Sequence, residues 1–345
     1  MARLADSKQA GRDLRHYLDQ TNIRNSPLDG KIEASNDVDR VYALLGIASD
    51  HAAAEIVPDY GLSCDEAYIK TARVLLKHGH DDILSLCRAR GRIKDLPSWV
   101  PDWTAALRTP WSGFNPQHWS FHACGPLYQY VPIISSEKPD LLSHDISLQG
   151  VFVDSIQETG HVFSLPLEQK PLSGVLAGQW PFFFSISSFL AKSTRYSAEE
   201  KAQAEWKIPI GDGHKDNSIS SWARAPADSH MKAGFERARM AHGWTESGVG
   251  DPGKSTEGYQ CFIERLRRMY DSLPFITGTG HVGLCPKEAQ PGDSLVIFMG
   301  VRVPYVIRPH PDGQSWTLIG ETYVHGIMDG QFMENNPDVR TITLI

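Results

Sequence analysis

The sequence predicts an α+β protein, with a helical N-terminal unit followed by a mostly antiparallel, small C-terminal β-barrel. Three observations carry that expectation. The first third repeats apolar residues at helical spacing, and the last seventy or so residues are short β-rich runs cut by turn residues. Between them, LPSWVPDW (96–103) changes the grammar, because the residue before each proline is pushed towards extended geometry.

In chain order, Asn36 or Asp37 caps a helix whose face is Val38, Val41, Tyr42 and Leu45, with Gly46 ending it. Ser63 and Glu66 form a capping-box pattern ahead of the stripe Tyr68, Ala72, Leu75 and Leu76, which Gly79 closes. A third helix carries Ile83, Leu86 and Cys87 and ends near Gly91. Trp99 and Trp103 anchor the crossover that follows. HDISLQGVFVDSI reads as a strand with Ile146, Leu148, Gly150 and Phe152 on one face, and Gly150 marks a bulge or close approach. Ser197 and Glu200 match a second capping box. Met231, Phe235 and Ala238 form a weak amphipathic stretch, and Tyr259, Phe262, Ile263, Leu266 and Tyr270 a clearer one. PFIT, HVGLC, SLVIFMG, VPYVIRP and SWTLIGETYVHG then read as barrel strands, with TITLI closing. The expected divisions are a helical unit at 1–95, a Trp-anchored crossover with strands at 96–170, a variable insertion, partly helical or mobile, at 171–258, and a helix plus barrel at 259–345.

Composition narrows the function classes. Lys+Arg total 34 against 41 Asp+Glu, a net charge of −7 without basic blocks, which argues against a nucleic-acid partner. The longest apolar stretch, WPFFFSISSFLA from Trp180, is too short to span a bilayer and is broken by serines, so no membrane partner is expected. The N-terminus lacks the apolar core of a secretory signal, so the expectation is a soluble, cytoplasmic protein. Five scattered cysteines with no C-x-x-C pair fit neither a disulfide framework nor a zinc site and read as small buried hydrophobes. No cofactor and no metal is expected.

Several motifs match chemistry by letters. GTGHVG (278–283) satisfies G-x-G-x-x-G, but it joins two strands and lacks the acidic residue about 20 positions on, so it reads as a β-turn. IGDGHKDN lacks the ligand order of a calcium loop and reads as a flexible polar loop. His78 and His80 beside Asp81 and Asp82 read as helix C-capping rather than metal ligation. GETYVHGIMDG carries the strongest candidate. On a strand from Gly320 to His325, Glu321, Tyr323 and His325 share a face, suiting acid–base chemistry, with Asp329 placed to orient the imidazole. The structural alternative has Tyr323 packing, Glu321 pairing with Arg302 or Arg308, and His325 bonding the turn.

Several segments together resemble one family. DVDRVYALLGIASD resembles the D-P-R-D-[RK]-[VI]-Y-A-L-L-G-L-A-S-D signature of fungal heterokaryon-incompatibility (HET domain) proteins, and IVPDYGLSCDEAYIKTA the segment after it. LPSWVPDW, the L-x-x-x-G-x-x-x-D-x-I strand, HVGLCPKEAQPGDSLVIFMGVRVPYVIRP, LIGETYVHGIMDG and ITLI are similar to later parts of those proteins, including their C-terminal barrel. Neither an S-Y-x-W-G nor an I-D-x-[IL]-C-I-x-Q segment of the HET core occurs, so the chain resembles the rear portion of such a protein. The family's death-inducing activity is attributed to that core, so the resemblance carries no catalytic residue onto this chain.

Two readings follow. In one, the chain is an incompatibility-related, non-catalytic recognition or regulatory module that binds a protein partner through exposed aromatics. In the other, it is a small secondary-metabolism enzyme acting on a small-molecule substrate. Glu321, His325 and Asp329 would then be the acid–base groups, with Trp99, Asp102, Trp103, Tyr323 and Tyr42 lining a pocket between helical unit and barrel.

Overall fold

The computed structural model describes residues 12–24, 34–88, 93–111, 121–125, 142–165, 176, 178–216, 221–226, 229–241 and 257–345. Gly91 and parts of the 171–258 stretch lie outside them. Helices α1 (Leu14–Asn22), α2 (Asp39–Leu45), α3 (His51–Glu55) and α4 (Cys64–Lys77) open the chain, with the two-residue strand β1 (Ile23–Arg24) after α1. The α4 capping box forms as the sequence implies, the Ser63 backbone N–H donating to Glu66 at 2.8 Å. Gly79, at φ 81°, ends that helix. The expected third helix is a tight 3₁₀ segment, Asp81–Leu86, which still buries Ile83, Leu86 and Cys87. Strand β2 (Leu107–Arg108) pairs parallel with β1.

One long strand, β3 (Ile146–Thr159), organises the sheet. It is followed by α5 (Trp180–Lys192), α6 (Ala198–Lys207), a 3₁₀ turn Ile208–Ile210, the hairpin β4 (Gly213–Asp216) and β5 (Ser221–Arg224), α7 (His230–Ala241) and α8 (Glu257–Arg267). The C-terminal strands are β6 (Ser272–Thr277), β7 (Val282–Pro286), β8 (Ser294–Phe298), β9 (Tyr305–Pro309), β10 (Trp316–Glu321), β11 (Tyr323–Val324) and β12 (Arg340–Leu344). Their order is β11-β7-β6-β3-β12-β10-β9-β8, and β3 also pairs with β8. That second pairing closes β3, β12, β10, β9 and β8 into a ring, while β6, β7 and β11 extend from β3. The sheet is antiparallel except where β12 meets β10, so the α+β class stands, with a barrel less simple than expected. TITLI does return as the closing strand.

Gly150 is a close approach. A Cβ there would lie 3.0 Å from Ile342 Cδ1 and 3.1 Å from Phe298 Cδ1, because both neighbouring strands pack over it. Val151 is buried on the opposite face of β3, against a second cluster with Ile297 and Leu295, and the register shifts only beyond Phe152. The expected face of Ile146, Leu148, Gly150 and Phe152 holds, since the three side chains pack on one core cluster that also contains Ile342 and Phe298. GTGHVG is the β6–β7 hairpin turn, with Gly280 at φ 87°. IGDGHKDN is not a flexible polar loop, for Asp212 within it is fully buried and ion-paired. Cys87, Cys124, Cys261 and Cys285 are buried, Cys64 is half-buried, and all five are free. Among the described residues, no helix is long and apolar enough to cross a membrane.

Candidate functional site

The strand carrying Glu321, Tyr323 and His325 is not continuous. The β9–β10 register shifts between Leu318 and Gly320, Gly320 sits at φ 144°, and β10 ends at Glu321 before β11 begins. The bulge precedes both residues, and the break at Thr322 parts them: Glu321 pairs with Tyr305 of β9 and Tyr323 with Leu284 of β7, so the period-two reading fails at Glu321. Tyr323 and His325 do meet, with the phenol oxygen 3.2 Å from Nδ1. Tyr196 stands edge-on to the imidazole at 5.5 Å and donates to the His325 carbonyl at 2.9 Å. Burial lowers His325 to about 4, so the ring is neutral near pH 7.

Asp329 does not orient that ring. Both its oxygens are taken by the Arg224 guanidinium, Nη2 donating to Oδ2 at 3.1 Å. Arg224 also binds buried Asp212 at 2.6 Å and lies 4.6 Å over the Phe121 ring. Asp212 takes a further contact from Lys207 at 3.1 Å. A short sequence spacing placed Asp329 near His325. The tertiary structure supplies a better partner from 105 residues earlier.

Glu321 occupies separate surroundings. It lines a cavity of about 10 Å³ with Ser85, Arg88, Arg108, Thr109 and Trp111. Its Oε1 accepts the Trp111 backbone N–H at 2.7 Å. Burial raises its pKa to about 7, against the opposing pull of that N–H, Ser85 and the two arginines. Arg308, one expected partner, instead binds Asp293 at 2.8 Å. The Ser85 and Tyr305 hydroxyls share a hydrogen bond of 2.9 Å behind the carboxylate. Arg88 and Arg108 escaped the sequence reading, because neither sits in a motif and both meet Glu321 only through the fold.

Trp99, Trp103 and Asp102 are completely buried, and Tyr42 and Tyr323 nearly so. Trp103 packs edge-on against Tyr68 at 4.9 Å, and Trp99 donates to the His144 carbonyl at 2.9 Å beneath Arg73. Asp102 accepts from the Thr104 backbone and hydroxyl at 2.9 and 2.6 Å. Tyr42 donates to the Asp59 carbonyl at 3.3 Å. None of the five lines the Glu321 cavity or the open groove of about 710 Å³ between segment 93–98 and His144, His310 and Thr317. Large aromatics do reach the surface at Trp180 and Phe184, tilted against each other at 5.4 Å on α5, and at Tyr60.

Residues 252–338 match the model of the Het-6 beta-barrel domain. The chain is 28% identical over 347 aligned positions to heterokaryon incompatibility protein 6, OR allele, of Neurospora crassa. That alignment covers 87% of this chain and 49% of the relative, so the chain spans about half the length of the curated protein it matches. The resemblance to heterokaryon-incompatibility proteins therefore holds. No solved structure matches.

Proposed function

We propose that this chain acts in heterokaryon incompatibility as a non-catalytic recognition or regulatory module, a soluble cytoplasmic protein that binds a protein partner. One observation carries the non-catalytic part. The three titratable groups that an acid–base site would need are dispersed, with Glu321 in its own cavity, Asp329 bound to Arg224, and His325 held neutral beside Tyr323. The incompatibility role rests on the similarity to the Neurospora protein. In this reading Trp99, Asp102, Trp103, Tyr42 and Tyr323 brace the scaffold. The Trp180–Phe184 pair on α5 is the contact surface, since exposed aromatics of this kind supply interface hot spots.

The test is expression of the chain in Neurospora crassa strains of differing incompatibility type, scored by growth arrest of transformants. The expected result is strain-dependent arrest that survives Glu321→Gln and His325→Gln and is lost in the Trp180→Ser/Phe184→Ser double variant. Arrest abolished by His325→Gln in a stably folded protein would point to chemistry at Tyr323–His325 and overturn the reading. No strain dependence with the well-expressed parent chain would remove the incompatibility role.

A further inference from the structure

The Glu321 cavity is chemically unfinished. Arg88 Nη2, Arg108 Nη1 and Glu321 Oε2 are each buried without a hydrogen-bond partner, and all three residues line the same space. Unmade hydrogen bonds on buried charged groups are costly, so a cavity carrying three of them calls for an occupant. Its volume, about 10 Å³, admits the centre of one water-sized atom and no polyatomic group. Gly320 makes the geometry possible. A Cβ at that position would lie 3.4 Å from Arg88 Cβ and 3.0 Å from Pro286 Cγ, where the arginine stem passes the strand.

Charge decides between a neutral and an anionic occupant. Arg88 has an acidic neighbour outside the cavity, Glu288 at 3.6 Å. Arg108 donates to the Arg268 carbonyl at 2.8 Å and lies 3.9 Å over the Tyr270 ring, and the acidic groups that act on it are Asp271 and Glu321, the second of which loses its charge when protonated. Burial brings Arg108 down to about 9, and the next largest influence is repulsion from Arg88, ahead of attraction to Glu321. Two guanidinium groups that repel across a buried space favour an anion between them.

We propose that this cavity is a halide site, in which one chloride ion accepts N–H donors from Arg88 Nη2 and Arg108 Nη1 and an O–H donor from the protonated carboxyl of Glu321. Binding takes up one chloride and one proton, so the local charge is unchanged. Trp111 N–H stays on Oε1, which leaves Oε2 to carry the proton. The groups facing Glu321 are Ser85 and Arg88 from the 3₁₀ segment and its end, Arg108 and the Trp111 amide from β2 and beyond, Tyr305 from β9, and Arg265 from α8. Among these the carboxyl alone titrates near neutrality. Because the 3₁₀ segment packs on β10 here, occupancy ties the helical part of the chain to the ring of strands.

The experiment measures the thermal unfolding midpoint of the full chain as sodium chloride replaces sodium gluconate at constant ionic strength, between pH 6 and pH 8. The expected result is a saturable rise with chloride and bromide. The half-saturating concentration should increase up to about tenfold between pH 7 and pH 8, as one coupled proton requires. Glu321→Gln should keep the chloride response, since its amide N–H can donate, and lose the pH dependence. Arg108→Gln should lose the response. Because that variant risks misfolding, a bromide-soaked crystal of the parent chain provides a second readout, with an anomalous peak between Arg88 and Arg108. Equal midpoints in chloride and gluconate, or a chloride response unchanged in both variants, or no peak in the cavity, would each overturn the proposal and leave a water as the occupant.

Discussion

Arg224 binds Asp212 at 2.6 Å and carries Asp329 on its other edge, so one guanidinium joins the β4–β5 hairpin to the turn after β11. The two carboxylates differ in setting, Asp212 being about 2% exposed and Asp329 exposed. Asp212→Asn should therefore cost on the order of 3 kcal/mol, because Lys207 and Arg224 lose a buried counter-charge. Asp329→Asn should cost about 0–1 kcal/mol, as an exposed pair does. Urea unfolding midpoints of the two variants check the order; equal losses would contradict it.

Stability should fall on acidification between about pH 6.5 and pH 4. Burial lowers both His281 and His325 to about 4, so the unfolded chain binds protons in that window while the folded chain does not. Their contribution is complete above the ordinary histidine value and is lost as pH falls through about 4. The His281→Gln/His325→Gln double variant should show a flatter urea midpoint across that range.

Glu321 has the opposite sign. Its value is raised to about 7, so its contribution is complete below the ordinary carboxylate range and is lost as pH rises through about 7. Glu321→Gln should gain stability relative to the parent chain from pH 5 to pH 8. Parallel stability–pH curves for the two proteins would show that the carboxyl titrates normally.

Gly283 closes the G-x-G-x-x-G match for a reason unconnected with phosphate. It pairs with Val324, and a Cβ there would overlap the Tyr323 carbonyl oxygen and press on the Phe275 ring. Gly283→Ala should cost about 1–3 kcal/mol through overpacking and loosen β11, exposing the Tyr323–His325 pair. Hydrogen exchange of the Val324 amide, compared with that of Ile307 in β9, reads the local loss.

The tryptophans should divide sharply. Trp103→Ala opens a cavity in the core beside Tyr68 and should cost about 3–5 kcal/mol. Trp180→Ala, on the surface of α5, should stay within about 0.5 kcal/mol of the parent chain. Chemical unfolding of the two variants separates core from surface roles.

Local chemistry was legible at several places where it depends on neighbours in sequence, though not at the start of α2, whose N-cap is Val38 and not Asn36 or Asp37. The Ser63–Glu66 and Ser197–Glu200 boxes, the helix stops at Gly46 and Gly79 and the hairpin turn at Gly280 all close within a few residues. The candidate site was only half legible. Tyr323 and His325 meet because two positions along a short strand share a face. Glu321 departs because the strand breaks at Thr322, leaving Glu321 paired to β9 and Tyr323 to β7.

The sequence by itself therefore determined the α+β class, which rests on spacing, turn residues and local capping, and the resemblance to incompatibility proteins, which rests on matching segments. The tertiary structure decided the partners of the charged groups. Arg224 reaches Asp329 across 105 residues, and the Trp111 amide reaches Glu321 across 210. The physical reason is that burial makes an unpaired charge expensive, so each charge takes the best partner the fold brings within reach, whatever its distance along the chain.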